Sequence, residues 1–294
     1  MVAADLLVLG SSGRAGRLLR GVLAGSPRLR AGFAPMGRPR ILWQQRSGDG
    51  GADVLKWQPG RPLPRGLSAR VILALWGVTS GSPEQLAQNA VLARAALHLA
   101  RRVGAQRVIH LSSGAVQAGL HCAPAAEDMG LAPLGPYGVA KQHMEAAIAT
   151  WHAQRPGMAP RSTVVRLGNL AGADQLFEAI AKGGPVVLDR FDDGSGPRRS
   201  YIGAEDLLRL LARLATCPVR DLPDCVNATG PQPVAMEDLI RAAGVPLRWR
   251  PAPPSALPVL ALDPARMQGI CGALARSGSA EGLISQWRRA REPA

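Results

Sequence analysis

The chain has 294 residues, 47% of them apolar, enough for one large domain or for a large and a small one around a substantial core. Its 34 glycines and 25 prolines are scattered through periodic sequence, which argues against a disordered chain. The formal charge of +14 comes from 32 arginines and only three lysines, dispersed without zinc-finger spacing or an RNA-binding aromatic motif; solvated surface or an anionic small molecule is expected rather than nucleic acid.

The first 170 residues alternate short apolar runs with helical patterns. Strands are predicted at 5–10, 40–46, 52–57, 70–77, 106–113 and 161–169. Helices are predicted at 13–24, 83–104 and 139–154. Continuous apolar strands separated by helices indicate an α/β chain, with a Rossmann-like, doubly wound parallel sheet. Beyond residue 170, "PVVLD" and "RSYIG" read as short strands, 204–215 as a helix, and "DCVNATG" (224–230) as a last strand of the main sheet. The tail combines a short helix (235–243), a proline-rich stretch (251–258) and a terminal helix near 279–291. The expected division is a dinucleotide-binding domain over 1–170, also receiving about 200–230, and a smaller substrate-binding lobe over 171–199 and 231–294. No membrane span is expected, because no run reaches about 18 apolar residues. The N-terminus reads as a first strand rather than a signal peptide. Cys122, Cys217, Cys225 and Cys271 lack metal-ligand spacing and are expected to be reduced thiols in a cytoplasmic protein.

"LLVLGSSGRAGRLL" places Gly10, Gly13 and Gly16 between the first strand and the first helix. Glycine permits the tight turn and lets a helix N-terminus, with its unpaired N–H groups and favourable dipole, approach a pyrophosphate. Ser12 and Arg14 lie in the same loop, and Leu75 and Gly77 close the fourth strand; all four are assigned to the cofactor with the glycines. The second strand ends in "WQQRSGDG", without an acid at the place where a carboxylate reads the ribose of NAD. Arg46 stands there, and a guanidinium suits a 2′-phosphate, so NADP is the preferred expectation. Asp49 folding back would leave NAD open. Asp53, opening the third strand, is a candidate for the adenine amino group.

The fifth strand ends in "HLSSGAV", which brings Ser112 and Ser113 to a carboxyl edge, where α/β folds bind ligands. Tyr137 follows 24 residues after Ser113, and Lys141 lies one turn beyond it on the same helix face. A phenol with a pKa near 10 is a poor base at neutral pH. An adjacent ammonium and an oxidised nicotinamide favour phenolate, so Tyr137 could exchange a proton with a carbinol oxygen that Ser113 holds. A compact lysine ammonium can also hydrogen-bond ribose hydroxyls. Asn89, in the long helix, is a fourth candidate that could order that helix or hold a water behind Lys141.

Together these residues resemble the extended short-chain dehydrogenase/reductase family, the NAD(P)-dependent epimerase/dehydratase group. The resemblance spans nearly the whole chain. It implies a cofactor loop at Gly10, Gly13 and Gly16, a catalytic Ser113–Tyr137–Lys141 set, and a fourth-helix asparagine at Asn89. Through "VVRLGNLAG" it implies a nicotinamide neighbour at Leu167 and a substrate-phosphate contact at Asn169. "DGSGPRRSYIGAEDL" is similar to the segment with a diphosphate-binding arginine, here Arg199, and a structural aspartate, here Asp206. "VNATG" makes Asn227 structural. Departures are Gln117 at a tyrosine position, Trp76 where a small residue is usual, the missing ribose acid and a short second lobe.

The resemblance implies an oxidoreductase or epimerase acting on a carbinol or keto group of a small molecule, with a nucleotide sugar as the specific expectation. A simple NADPH-dependent carbonyl reductase of another substrate and a non-catalytic dinucleotide sensor stay open. A dehydratase would need an acid pair beside the tyrosine, and Glu127 and Asp128 lie ten and nine residues before it. A homodimer is expected through the helices of Asn89 and Tyr137, whose Ala90, Ala95, Ala96, Ala146 and Ala147 permit close packing.

Overall fold

The computed structural model describes residues 2–34, 37–47, 51–119 and 124–291. In chain order the first elements are β1 (Val2–Leu9), α1 (Arg14–Gly25), α2 (Pro27–Ala31), β2 (Ile41–Gln45), β3 (Val54–Lys56), β4 (Leu67–Ala74), α3 (Pro83–Arg102), β5 (Arg107–Ser113), α4 (Gly135–Ala153) and β6 (Arg161–Leu167). They continue with β7 (Asn169–Leu170), α5 (Gln175–Ala181), β8 (Val186–Arg190), β9 (Arg198–Ile202), α6 (Ala204–Thr216) and β10 (Cys225–Ala228). The last are β11 (Pro233–Ala235), α7 (Met236–Ala243), β12 (Leu247–Pro251), β13 (Val259–Leu260), α8 (Ala265–Cys271) and α9 (Ala280–Arg289).

Seven strands form one sheet in the order β10-β6-β5-β4-β1-β2-β3, and every neighbouring pair is parallel. The chain switches direction of travel between β1 and β4, and in such sheets a crevice opens at the carboxyl ends of the strands at that point. Both faces are covered. Leu6 and Val8 join Leu19 and Leu23 of α1 and the apolar face of α6. Leu7 and Leu9 point the other way, into a cluster with Leu97 of α3 and Met144 and Ile148 of α4. This alternation within one apolar run is the period-2 signature of a strand buried on both faces.

Helix ends follow local chemistry. Ser82 caps α3 by accepting from the Gln85 N–H while the Gln85 side chain returns to the Ser82 N–H, a capping box followed by Pro83. The catalytic-candidate helix α4 starts at Gly135, four residues before the predicted Val139, because Pro136 suits a first turn. Ala96 is fully buried against the sheet, which removes it from the expected oligomer face; Val91 and Val139 on α3 and α4 are the exposed large apolar residues there.

Beyond β6 the chain builds two smaller sheets. One joins β11, β9 and β13, with β7 pairing to β9; the other pairs β12 with β8. Phe177, Ile180, Leu188, Tyr201, Leu239 and Leu283 share the core of this region. The helices α2, α5 and α8 are additions to the sequence-based elements. Asp206 is buried and receives hydrogen bonds from Ser277 and Arg209, and the Asn227 amide donates to Ala125 O (2.9 Å) and Asp263 O (3.3 Å). Cys217, Cys225 and Cys271 are free thiols, and Cys122 lies outside the described residues. Among the described residues no helix is long and apolar enough to cross a membrane.

Candidate active site

The glycine loop joins β1 to α1 at the switch point. Gly10 has φ +79°, a conformation that L side chains rarely adopt, and a Cβ there would lie 2.6 Å from Trp76 Cα. A Cβ at Gly16 would lie 2.6 Å from the Gly10 carbonyl oxygen, so the helix can approach the turn only without one. Gly13 stands at the N-cap of α1 and supplies no side-chain cap. The first N–H groups of a twelve-residue helix therefore face outward without a capping side chain, the geometry an anionic phosphate satisfies. These features fit a dinucleotide pyrophosphate. Ser12 is exposed at the loop tip. Arg14 reaches across the mouth of the crevice to Glu178 Oε1 on α5 (2.8 Å) and to Thr79 Oγ1 (3.3 Å). Leu75 continues from β4, its N–H donating to Leu9 O at 3.0 Å.

Ser113 ends β5, and its Oγ accepts from the Ala115 N–H at 3.2 Å. Tyr137 lies in the first turn of α4, beside Ser113, and Lys141 follows one turn later. The Lys141 ammonium sits 5.9 Å from the centre of the Tyr137 ring and donates to Leu111 O at 2.9 Å. Gly77 stands where two candidates converge: a Cβ there would lie 2.9 Å from Asn89 Oδ1 and 3.2 Å from Lys141 Nζ. Asn89 is buried. Its amide donates to Val78 O (2.9 Å) and Leu86 O (2.8 Å) and accepts from the Val78 N–H (3.2 Å), which ties the loop after β4 to α3.

Burial raises the pKa of the Tyr137 phenol, while the Ser113 hydroxyl and the Arg14 charge oppose the rise. The ligand-free phenol therefore keeps its proton at neutral pH. Burial pulls Lys141 down to about 8, with Glu145 working against it. Charged Lys141 thus predominates below about pH 8. Dinucleotide affinity is expected to be flat below that pH and to fall above it, where the ammonium available to ribose hydroxyls is lost. Calorimetric titrations from pH 7 to 9 check this, and Lys141→Met should abolish the slope. The same group acts on stability with a defined sign. Between about 8 and its ordinary 10.5 the unfolded chain holds a proton that the folded chain has released, so stability rises with pH in that window.

Several site residues are absent from the sequence-based candidates. Glu145, one turn beyond Lys141, accepts from Ser112 Oγ (2.6 Å) and pairs with Arg166 of β6 (3.0 Å), both partners being nearly buried. The signals were present: Arg166 is the charge inside the apolar run "STVVRLGN", and Glu145 repeats the four-residue spacing. Asp174 caps α5 through the Phe177 N–H (2.9 Å) and receives the Asn169 amide (2.9 Å). Asn169 is thus held in place beside the buried Tyr201, its register partner across β7 and β9. Burial raises the pKa of Asp174, partly offset by the Asn169 amide. Arg199, also on β9, donates to Arg198 O (2.8 Å) and Pro258 O (3.3 Å); Leu167 ends β6 half-buried.

Other expectations are placed elsewhere. Asp53 immediately precedes β3 and pairs with Arg20 of α1 (3.2 Å). Arg46 is exposed beyond the end of β2, and Asp49 lies outside the described residues. Glu127 accepts from the Asn227 N–H at 2.7 Å, which commits it to β10. Gln117 is buried, its amide donating to Ala126 O at 2.7 Å.

Residues 69–228 match the NAD dependent epimerase/dehydratase family. No curated protein matches in sequence. Among solved structures, the chain is similar to the NAD dependent NDP-hexosamine 5,6-dehydratase TunA, involved in tunicamycin biosynthesis (TM-score 0.76, 22% identity, 99% of each chain covered). It is similar to a UDP-glucose-4-epimerase from Stenotrophomonas maltophila with bound NAD and formylated UDP-arabinopyranose (0.74, 19%, 98% of each chain). It is also similar to the UDP-glucuronic acid 4-epimerase from Bacillus cereus in complex with UDP-glucuronic acid and NAD (0.71, 15%, 97% of this chain and 98% of that one). The expected preference for NADP is corrected: the matched family is NAD dependent, these structures name NAD, and the arginine that suggested a 2′-phosphate is an exposed residue past the strand end. The chain belongs to the NAD dependent epimerase/dehydratase family and is an enzyme of the extended short-chain dehydrogenase/reductase type.

Proposed function

We propose that the protein oxidises and reduces a carbinol carbon of a nucleotide sugar, as an epimerase, with Tyr137 as the proton-transfer group. The observation that carries this reading is the meeting of Ser113, Tyr137 and Lys141 at the carboxyl edge of β5, beside the glycine loop. Bound NAD would supply the hydride acceptor and donor. Tyr137 takes the hydroxyl proton when the carbinol is oxidised and returns it when the keto group is reduced. Ser113 Oγ orients the reacting oxygen. The Lys141 ammonium favours the phenolate and holds ribose hydroxyls.

Asn169 and Arg199 are the proposed contacts to the substrate diphosphate, the first just before and the second on the lobe formed by residues 171–199 and 231–294. The nucleotide sugars named for the proteins of similar fold support that class. Asp174 takes one of the two N–H donors of the Asn169 amide, which leaves the second for a phosphate oxygen. A homodimer through α3 and α4 is proposed, with Val91 and Val139 on its exposed apolar face.

The test is incubation of the purified enzyme and NAD with a panel of UDP- and other nucleoside-diphosphate sugars, followed by proton NMR. Conversion to the C4 epimer without net NADH accumulation supports the reading. Stoichiometric NADH formation or consumption would replace it with the simple dehydrogenase or reductase reading. Loss of water from the sugar would assign a dehydratase.

A further inference from the structure

Part of the arginine surplus gathers at one place outside the crevice. An open cavity of about 780 Å³ lies between α1, α2, α6 and the end of α9. Its wall contains no residue of the glycine loop, and none of Ser113, Tyr137, Lys141, Asn169 and Arg199. Four of its 17 lining residues are arginines, Arg28, Arg209, Arg213 and Arg289, against one acid, Glu205. Arginine supplies 32 of the 294 residues of the chain, so this wall is enriched in it.

Local structure explains both the space and the charge. α1 and α6 are neighbours on one face of the sheet. Gly21, Ala24 and Gly25 form the α1 side, and a Cβ at Gly25 would meet nothing within 4 Å. On α6, Arg209 and Arg213 are exposed and stand one turn apart on the same ridge, their Cβ atoms about 6 Å from each other. Arg28 joins the wall from α2 and Arg289 from the last turn of α9. Among the described residues, ion pairs engage Arg209 (with Asp206) and Arg289 (with Glu205, 2.7 Å), and none engages Arg28 or Arg213. Glu205 also binds Arg276 at 3.0 Å, and Asp206 also receives the Ser277 hydroxyl. Arg289 and Arg209 can therefore turn donors to a ligand without leaving either carboxylate bare. A guanidinium offers a planar fork of donors that fits phosphate oxygens. Four of them, from three helices and the end of a fourth, fit an anion charged at more than one point. The volume falls in the range of small-molecule sites, about 300–1,000 Å³.

We propose that this cavity is a second anion site, which takes a small molecule bearing two or more linked phosphates. It is separate from the crevice and rests on neither the dinucleotide nor the sugar reading. The experiment is calorimetric titration of the full-length protein with inorganic tripolyphosphate at low salt, with NAD in excess to occupy the glycine loop. The variants are Arg28→Ser with Arg213→Ser, Gly25→Glu, Arg199→Ser, and Arg101→Ser with Arg102→Ser, each checked for a cooperative thermal transition. Removing Arg28 and Arg213 breaks no ion pair among the described residues and should weaken binding about tenfold for each guanidinium lost. Gly25→Glu puts a carboxylate into the open groove and should weaken it as well. Arg199→Ser should leave the affinity unchanged. So should the α3 pair, two exposed arginines outside the cavity whose loss removes the same charge.

No binding by the wild type overturns the proposal. Equal weakening by the α3 pair does the same, because it reduces the effect to net charge. Loss in Arg199→Ser with the cavity variants still binding puts the anion at the substrate site and also overturns it. If the double cavity variant fails to fold, Gly25→Glu decides, and wild-type affinity there rejects the cavity. Failure of NAD to bind removes the dinucleotide reading, while the contrast between cavity variants and controls still tests this site. Titration with ATP in the same conditions assigns the source: binding tighter than that of tripolyphosphate and lost in the cavity variants names a nucleotide, and equal binding names the phosphate chain alone.

Discussion

Tyr137→Phe is expected to lower turnover by about 10²–10⁴-fold, the range for loss of a positioned acid–base group. NAD binding should stay close to the wild-type value, because the ring and its packing remain. The reasoning is local. Burial raises the pKa of the phenol, so in the resting protein Tyr137 carries the proton that a keto oxygen would receive. Oxidation requires the reverse transfer, and in the proposed mechanism the Lys141 ammonium, 5.9 Å from the ring centre, supplies charge that favours it. Steady-state kinetics alongside calorimetric NAD binding separate the two effects. Equal loss of binding and turnover would mark Tyr137 as a cofactor contact, and unchanged turnover would reject the mechanism.

The second large effect concerns stability. Glu145→Ala should destabilise the fold by about 3–5 kcal/mol, the cost of leaving a buried charge without its partner. Arg166 and Glu145 have side-chain exposures of only 8% and 10%, so solvent gives little compensation. The substitution also removes the acceptor for Ser112 Oγ next to the catalytic strand end. The measurement is the urea midpoint at constant m-value. Replacing both partners, Glu145→Leu with Arg166→Met, should recover much of the loss, because an apolar pair leaves no buried charge unpaired. Glu145 also holds the Lys141 pKa up. Its removal should therefore move the onset of the NAD-affinity loss from about pH 8 toward neutrality, an effect that a purely structural residue would not produce.

These two predictions show which properties were local. Tyr137 and Lys141 share a helix face by their spacing, and Gly10, Gly13 and Gly16 sit between a strand and a helix by theirs. Periodicity within short segments specified the parallel strands and the main helices, because each apolar run must bury its own faces wherever it lies in the sheet. Proline at the first turn extended α4 past the predicted start, a shift of a few residues that left Tyr137 on the same helix.

Side-chain partnership across strands was not available in that way. Glu145 and Arg166 meet over a separation of 21 residues because β5 and β6 are neighbours and α4 lies on them. Gln44 reaches Gly10 over 34 residues because β1 pairs with β2. Arg46 was read as a contact to a 2′-phosphate from its position near a strand end, and it is the NAD dependence of the matched family that overturns that reading; Asp53 pairs with Arg20 across to α1. A charge near a strand end in sequence carries no information on which face or which edge it occupies. The lysine beside Tyr137 and the glycines before α1 are properties of short segments. The neutral clamp at Gln44 and the buried ion pair behind Lys141 exist only once the strand order brings distant segments within hydrogen-bond reach.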